Sequence, residues 1–314
     1  MMTESLIIAR SYAGDEDMAL IQQANARWAQ MASSLGYIHP GDIAHRLGNG
    51  MRKAKMPLTE TVQIWEKDGE VVGWVANYQY WHGFELQIHP DYRGSDLHNC
   101  MADWGEAQVK AYIENHPSAE PDAKKEIFWD LFEGDEATAR LMKERGYKPG
   151  DKSFSYTTRD LSEPFGHAAL PEYFSIRQVT GPEEVEAIIA VHSGAFGSEW
   201  TVEQYLKVME GPGYLAEREW VVVEPLDTFA AFTVTWFDEI NKTGLFEPVG
   251  THEKYQRAGL GRALMTHVMY HMRNQGLETA IVWHGNDNPA SAGLYAALGF
   301  QRRYTIQEMK RELT

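Results

Sequence analysis

A single cysteine, Cys100, among 314 residues rules out an internal disulfide and a thiolate metal site. It opens the helix-like run Cys100-Met101-Ala102-Asp103-Trp104 and reads as a packing residue rather than a nucleophile, so any group transfer is expected to be direct, in a ternary complex. No His-Glu-x-x-His or Cys-x-x-Cys spacing occurs, and no metal site is expected. No apolar run approaches the roughly 20 residues that cross a bilayer. The start, Met1-Met2-Thr3-Glu4-Ser5, lacks the basic-then-apolar order of a secretory signal, so the reading is a cytoplasmic protein without a membrane partner. Positive charge is also scarce, 29 Lys and Arg against 45 Asp and Glu, for a net charge of -16. Nucleic-acid binding needs a basic footprint and is therefore not expected. An acidic field attracts cations, amines among them, although net charge reports mainly on solubility.

The chain is long enough for two domains, each with its own core. The same order of elements occurs twice. Leu6-Ile7-Ile8-Ala9-Arg10 and Tyr173-Phe174-Ser175-Ile176-Arg177 open the two halves, each followed by an acidic turn and a helix-like run. Two β-rich runs follow in each, Val62–Trp65 with Val71–Ala76 and Trp220–Val223 with Phe229–Val234, joined as hairpins. A His-x-x-Tyr follows in each half, His89 to Tyr92 and His252 to Tyr255. Each half closes on a late strand, a helix of small residues and a Gly-aromatic pair, Gly146-Tyr147 and Gly299-Phe300. The stretch 162–171, rich in Pro and Gly, reads as the linker between domains 1–161 and 172–314.

The halves differ after the shared tyrosine. In the second, an extended segment, Leu245 to Thr251, passes through Gln256-Arg257-Ala258-Gly259-Leu260-Gly261-Arg262 into a helix. A strand that turns through glycines into a helix leaves backbone N–H groups unpaired beside the positive end of the helix dipole, which is a cradle for a pyrophosphate. Gly259 and Gly261 keep side chains out of its way, and Arg257 and Arg262 add charge. A tight turn without ligand has the same local signature. In the first half Asp96 and His98 stand opposite those glycines, and an aspartate there sets like charge against an anion.

The order Gln-x-x-Gly-x-Gly-Arg, then Asn288-x-x-Ala-x-x-Leu-Tyr295, then Leu298-Gly299-Phe300 resembles the GCN5-related N-acetyltransferase (GNAT) superfamily, closely over 245–303 and more loosely beyond. The resemblance implies a mixed α/β, α+β-like fold in two tandem acetyltransferase-type domains, each a mostly antiparallel twisted sheet flanked by helices with a splayed central strand pair. It implies acetyl-CoA as donor, with Val249, Gly250 and Thr251 pairing the pantetheine arm, Gln256 to Arg262 holding the pyrophosphate and Asn288 bonding the pantetheine or adjoining backbone. Tyr295 would be the general acid for the leaving thiolate, and Glu247 the base that takes the amine proton directly or through water. The N-terminal copy should not bind coenzyme A.

Bland readings stand beside these. Tyr295 could be a core aromatic, and Asn288 before Pro289 could cap a helix. Glu247 could be a solvated or substrate-binding carboxylate, with His252, His284 and Asp238 as weaker candidates for the base. Pro248 cannot donate to a ladder and marks a bulge or splay in its strand. The aromatics Trp74, Tyr78, Tyr80, Trp81 and Phe84, and Phe229, Phe232, Trp236 and Phe237, read mainly as sheet core. Trp236 beside Asp238 and Glu239 could instead hold a cation. The expected activity is acetyl transfer to a primary amine of a small molecule, by a monomer or homodimer. A protein N-terminal or lysine acetyltransferase and a non-catalytic coenzyme A sensor are the alternatives.

Overall fold

The structure is a computed structural model that describes residues 6–116 and 124–313; Met1–Ser5, read above for a signal, lie outside the described residues. In chain order the strands are β1 (Ile7–Ser11), β2 (Val62–Lys67), β3 (Glu70–Tyr78), β4 (Gly83–Ile88), β5 (Glu126–Phe132), β6 (Lys148–Asp160), β7 (Ser175–Gln178), β8 (Glu219–Val223), β9 (Phe229–Asp238), β10 (Thr243–Thr251), β11 (Thr279–Gly285) and β12 (Gln301–Glu312). The helices are α1 (Asp15–Met31), α2 (Pro40–Ala54), α3 (Leu58–Thr61), α4 (Asp96–Asn115), α5 (Glu136–Glu144), α6 (Val185–Phe196), α7 (Val202–Glu210), α8 (Leu260–Asn274) and α9 (Pro289–Ala297). Among the described residues no helix is long and apolar enough to cross a membrane.

Two compact units result, Met1–Phe154 with Tyr304–Thr314, and Ser155–Arg303. In the first the strands run β1-β2-β3-β4-β5-β12. Neighbours are antiparallel except β4 and β5, which are parallel and pair only at Gly83 and Phe84 against Phe128 and Trp129. In the second the order is β11-β10-β9-β8-β7. Again one pair is parallel, β10 with β11, held only by Thr243–Leu245 against Thr279–Ile281. A parallel pair needs a crossover, and α4 and α8 supply it. Past those short ladders each central pair parts, which is the splay the family resemblance implied.

The expected division at 162–171 is linear, whereas the compact units are not. The last strand of the chain lies on β5, from Ile306 opposite Phe132 to Glu312 opposite Glu126, and so completes the first unit. The second part of β6, Ser155–Asp160, belongs with the second unit, where Thr157 Oγ1 donates to Val282 O at 2.6 Å and Ser155 Oγ to Asn286 Oδ1 at 2.6 Å. Nor is 162–171 loose. The Tyr270 hydroxyl donates to Phe165 O at 2.7 Å, and the two rings pack at 4.4 Å.

The internal repeat extends to side chains. Arg10 at the end of β1 reaches Asp17 seven residues on at 2.6 Å, and Arg177 on β7 reaches Glu184 seven residues on at 2.5 Å. Each carboxylate also accepts a backbone N–H four residues earlier, from Ala13 and from Thr180. In the second unit α8 buries Leu260, Leu264, Val268 and Met272 against Trp220, Phe246 and Val282, along one stripe of the helix. Each such side chain contributes roughly 1.5–3 kcal/mol by leaving water. That stripe fixes α8 on the sheet and so aims its first turn.

Candidate functional site

β10 ends at Thr251, and a short 3-10 turn follows over Glu253–Tyr255, capped by His252, whose Nδ1 accepts the Lys254 N–H at 3.2 Å. Gln256 folds back to donate its Nε2 to Thr251 O at 3.3 Å. Arg257 (φ 63) and Gly259 (φ 80) then take left-handed conformations, free for glycine but worth about 1 kcal/mol of strain for arginine. Among the described residues, the backbone N–H groups of Arg257, Ala258, Gly259, Leu260, Gly261 and Arg262 make no well-formed hydrogen bond within the protein. Successive unpaired N–H groups at a helix start form an anion cradle. A Cβ at Gly261 would stand 3.4 Å from Thr251 Oγ1 and 3.6 Å from Leu294 Cδ2, narrowing the passage between the end of β10 and α9. The residues present thus fit a pyrophosphate.

From the cradle the gap runs along β10. Val249, Gly250 and Thr251 stay paired to β9 on one side, opposite Thr233, Phe232 and Ala231, while the ladder to β11 has already stopped at Leu245. Their other backbone edge therefore faces the gap. The register shifts between Phe246 and Val249, so the bulge expected at Pro248 is present. Trp236 Nε1 donates to Glu247 O at 2.7 Å and Thr233 Oγ1 to Pro248 O at 3.0 Å, which fixes the bulged backbone and the half-buried Glu247 with it.

Tyr295, on α9, is 6% exposed and packs with Phe300, Phe246 and Leu298. Burial, and then the Glu247 carboxylate nearby, push its phenol well above the usual range, opposed by a hydrogen bond with the Ser291 side chain. Tyr295 is a core aromatic, and its hydroxyl stays protonated near the Glu247 carboxylate at the splay. The ring of His284 lies 5.6 Å from it, centroid to centroid.

Other candidates resolve differently. Asn288 caps α9, accepting the Ser291 N–H at 3.1 Å with Pro289 in the first turn. His252 is a capping residue packed against Gly194, where a Cβ would collide with its ring; His89 does the same capping in the first unit. Asp238 is buried and binds the N–H groups of Ile240 and Asn241, which builds the turn between β9 and β10. Trp236 is 2% exposed and already bonded, so it cannot line an open cation site. Cys100 is exposed, not packed, because the buried face of α4 runs through His98, Met101, Ala102 and Gly105 and leaves position 100 outside.

One cluster escaped sequence reasoning. Glu219 at the start of β8 is fully buried and accepts hydrogen bonds from Tyr214 at 2.6 Å and Tyr205 at 2.9 Å, with His192 Nε2 a further 3.2 Å from the Tyr205 hydroxyl. Burial pushes its carboxyl up to about 7, and the two tyrosines draw it partly back. No motif announces it, since its partners lie on α7 and in the loop before β8.

Comparison with known proteins agrees with this geometry. Residues 185–300 match the Acetyltransferase (GNAT) family. A mycothiol acetyltransferase from Thermobispora bispora is 27% identical over 72% of this chain and 75% of its own, and one from Salinispora arenicola is 24% identical over 70% of each. Among solved structures, a GCN5-related N-acetyltransferase from Sphaerobacter thermophilus superposes with a TM-score of 0.65 at 18% identity, over 98% of this chain and 95% of the other. A tandem GNAT protein from the clavulanic acid biosynthesis pathway gives 0.64 at 14% identity over 98% of both. Residues 185–300 are therefore a GNAT domain, the chain has the fold of tandem GNAT proteins, and the protein is an acyltransferase of the N-acetyltransferase type.

Proposed function

We propose that the C-terminal repeat transfers an acetyl group from acetyl-CoA directly to the primary amine of a small molecule. The observation that carries this is the run of unpaired N–H groups from Arg257 to Arg262, opening onto a splay that has Glu247 and Tyr295 beside it. The cradle would hold the pyrophosphate, with Arg257 and Arg262 adding charge. The free edge of Val249–Thr251 would pair with the pantetheine amides, and Asn288 would keep the start of α9 in place beside it. This sets the thioester at the splay.

Attack by the neutral amine forms a C–N bond and breaks the C–S bond. The amine proton passes to Glu247, directly or through water, and the Tyr295 hydroxyl donates to the sulfur as it leaves. A phenol that burial keeps protonated is ready for that role. The second unit itself contains no cysteine, so donor and acceptor would be bound together, without an acyl-enzyme on a thiol of that unit. The relatives' name, mycothiol acetyltransferase, is consistent with a small amine acceptor. The decisive experiment is release of free thiol from acetyl-CoA against a panel of amines: turnover with small amines supports the reading, and turnover only with peptide N-termini or lysines would replace it.

A further inference from the structure

Beside the cradle, within the second unit, lies a cleft of about 210 Å³ lined by Arg159, Phe165, Arg262, Thr266, Leu298 and Gly299, among others. It is smaller than the roughly 300–1,000 Å³ of sites that enclose a whole small ligand, so it suits one end of a longer molecule. Arg262 belongs to both places: its backbone N–H is the last of the cradle, and its exposed side chain makes no hydrogen bond or ion pair among the described residues. The other wall is rigid. Arg159 Nη2 donates to Pro164 O at 2.9 Å and Nη1 to Gly299 O at 3.3 Å, its guanidinium lies 5.5 Å from the Phe165 ring centroid, and its buried Nε has no partner. Phe165 is pinned in turn by Tyr270 and by Arg273, 5.2 Å from its centroid. Gly299 keeps the cleft open, since a Cβ there would collide with Arg159 Nη1.

We propose that this cleft receives the 3′-phosphoadenosine end of the donor, an inference that rests on the donor being acetyl-CoA. Ala297 and Leu298 at the C-terminal end of α9 also line the cleft, and carbonyl oxygens at a helix end repel phosphate and accept from an amino group. The base therefore points inward, its exocyclic amine toward those carbonyls and its face on the planar Arg159–Phe165 wall. The 3′-phosphate then lies at the mouth, where Arg262 is the free cation. The segment between the two repeats, through Phe165, thereby becomes part of the donor site.

Calorimetry on the full chain with coenzyme A, dephospho-coenzyme A and 4′-phosphopantetheine tests this without any mutation. Coenzyme A should bind at least about tenfold more tightly than dephospho-coenzyme A, and 4′-phosphopantetheine should be weaker still. Arg262→Ala should bring the first two to within about twofold of each other. Phe165→Ala should weaken both nucleotides by about tenfold and leave 4′-phosphopantetheine unchanged. Equal affinity of the wild-type protein for all three ligands would overturn the cleft assignment while sparing the donor reading. Binding of none of them would overturn both.

Discussion

The two units carry the same turn after the same tyrosine, but its backbone donors are paired within the protein to different extents. In the first, Gly94 takes the left-handed conformation that Arg257 takes in the second (φ 76 and 63), so the backbone path is shared at that point. Yet Gly94 N–H donates to His98 Nδ1 at 3.1 Å, Ser95 N–H to Tyr92 O at 3.1 Å and Asn99 N–H to Ser95 O at 3.2 Å. Arg93, opposite Gln256, turns inward to Asp135 at 2.6 Å and to Gly36 O at 2.9 Å and stacks over Tyr37 at 4.3 Å. Three of the six positions whose N–H groups are unpaired in the second unit's loop thus have partners in the first, and Asp96 adds like charge. Opposite Tyr295 the first unit has Met142, wholly buried and without a proton to give. The two loops differ without a change of fold, in which N–H groups find partners within the protein and in the charge of Asp96.

That contrast can be broken or sharpened by experiment. The largest effect is expected for Tyr295→Phe, with turnover falling 10²- to 10⁴-fold, as for lost general acids, while coenzyme A affinity stays within about twofold. An unchanged rate would make Tyr295 a packing residue, like Met142. Gly261→Asp imports the acidity of the first unit's loop and should weaken coenzyme A binding by about 100-fold or more in calorimetry. The same titration of the wild-type protein should find one coenzyme A per chain; two would mean that the first loop opens.

Buried carboxylates offer a third comparison. Glu219 is held up to about 7, against an ordinary value near 4.3 in the unfolded chain. Its folded-state pKa is raised, so the stability it confers is full below about pH 4 and is lost as pH rises through about 7, a change on the order of 3 kcal/mol. Glu219→Gln should remove that decline between about pH 4 and 7 in urea melts, leaving the separate contribution of Glu85 in the first unit, likewise pushed up to about 7 by burial. An equally steep decline in the variant would mean that Glu219 is ionised throughout. The smallest effect concerns the paired Arg–carboxylate locks. Arg177→Ala should cost about 1 kcal/mol near neutral pH, because the pair is partly exposed. Since Arg177 holds Glu184 below the usual carboxylate range, that difference should fade as the melts are taken to acid pH. A cost independent of pH would point to packing of the Arg177 stem.

Much of this was legible beforehand because it is local. Glycines before a helix, the hairpins, Asn288 ahead of Pro289 and the bulge at Pro248 are each dictated by a few adjacent residues, and the repeat showed up as their order. Cys100 misled because a short run does not reveal which stripe of a 20-residue helix is buried. Trp236 and Asp238, two apart on β9 and so on one face, looked like a cation site, but each was already committed, one to Glu247 O and the other to a turn.

The sequence by itself determined the tandem repeat, the glycine cradle and the residues around the splay, since backbone conformation and helix-start chemistry are set within a few residues. Only the tertiary structure decided that β12 completes the first unit, that Glu219 sits between two tyrosines, and that Arg159 and Phe165 wall a cleft beside Arg262. The β12 pairing and the cleft depend on packing across about a hundred residues of chain or more, and the Glu219 cluster on how α7 and the loop after it return to β8; nothing in the residues on either side of each partner specifies which segment it will meet.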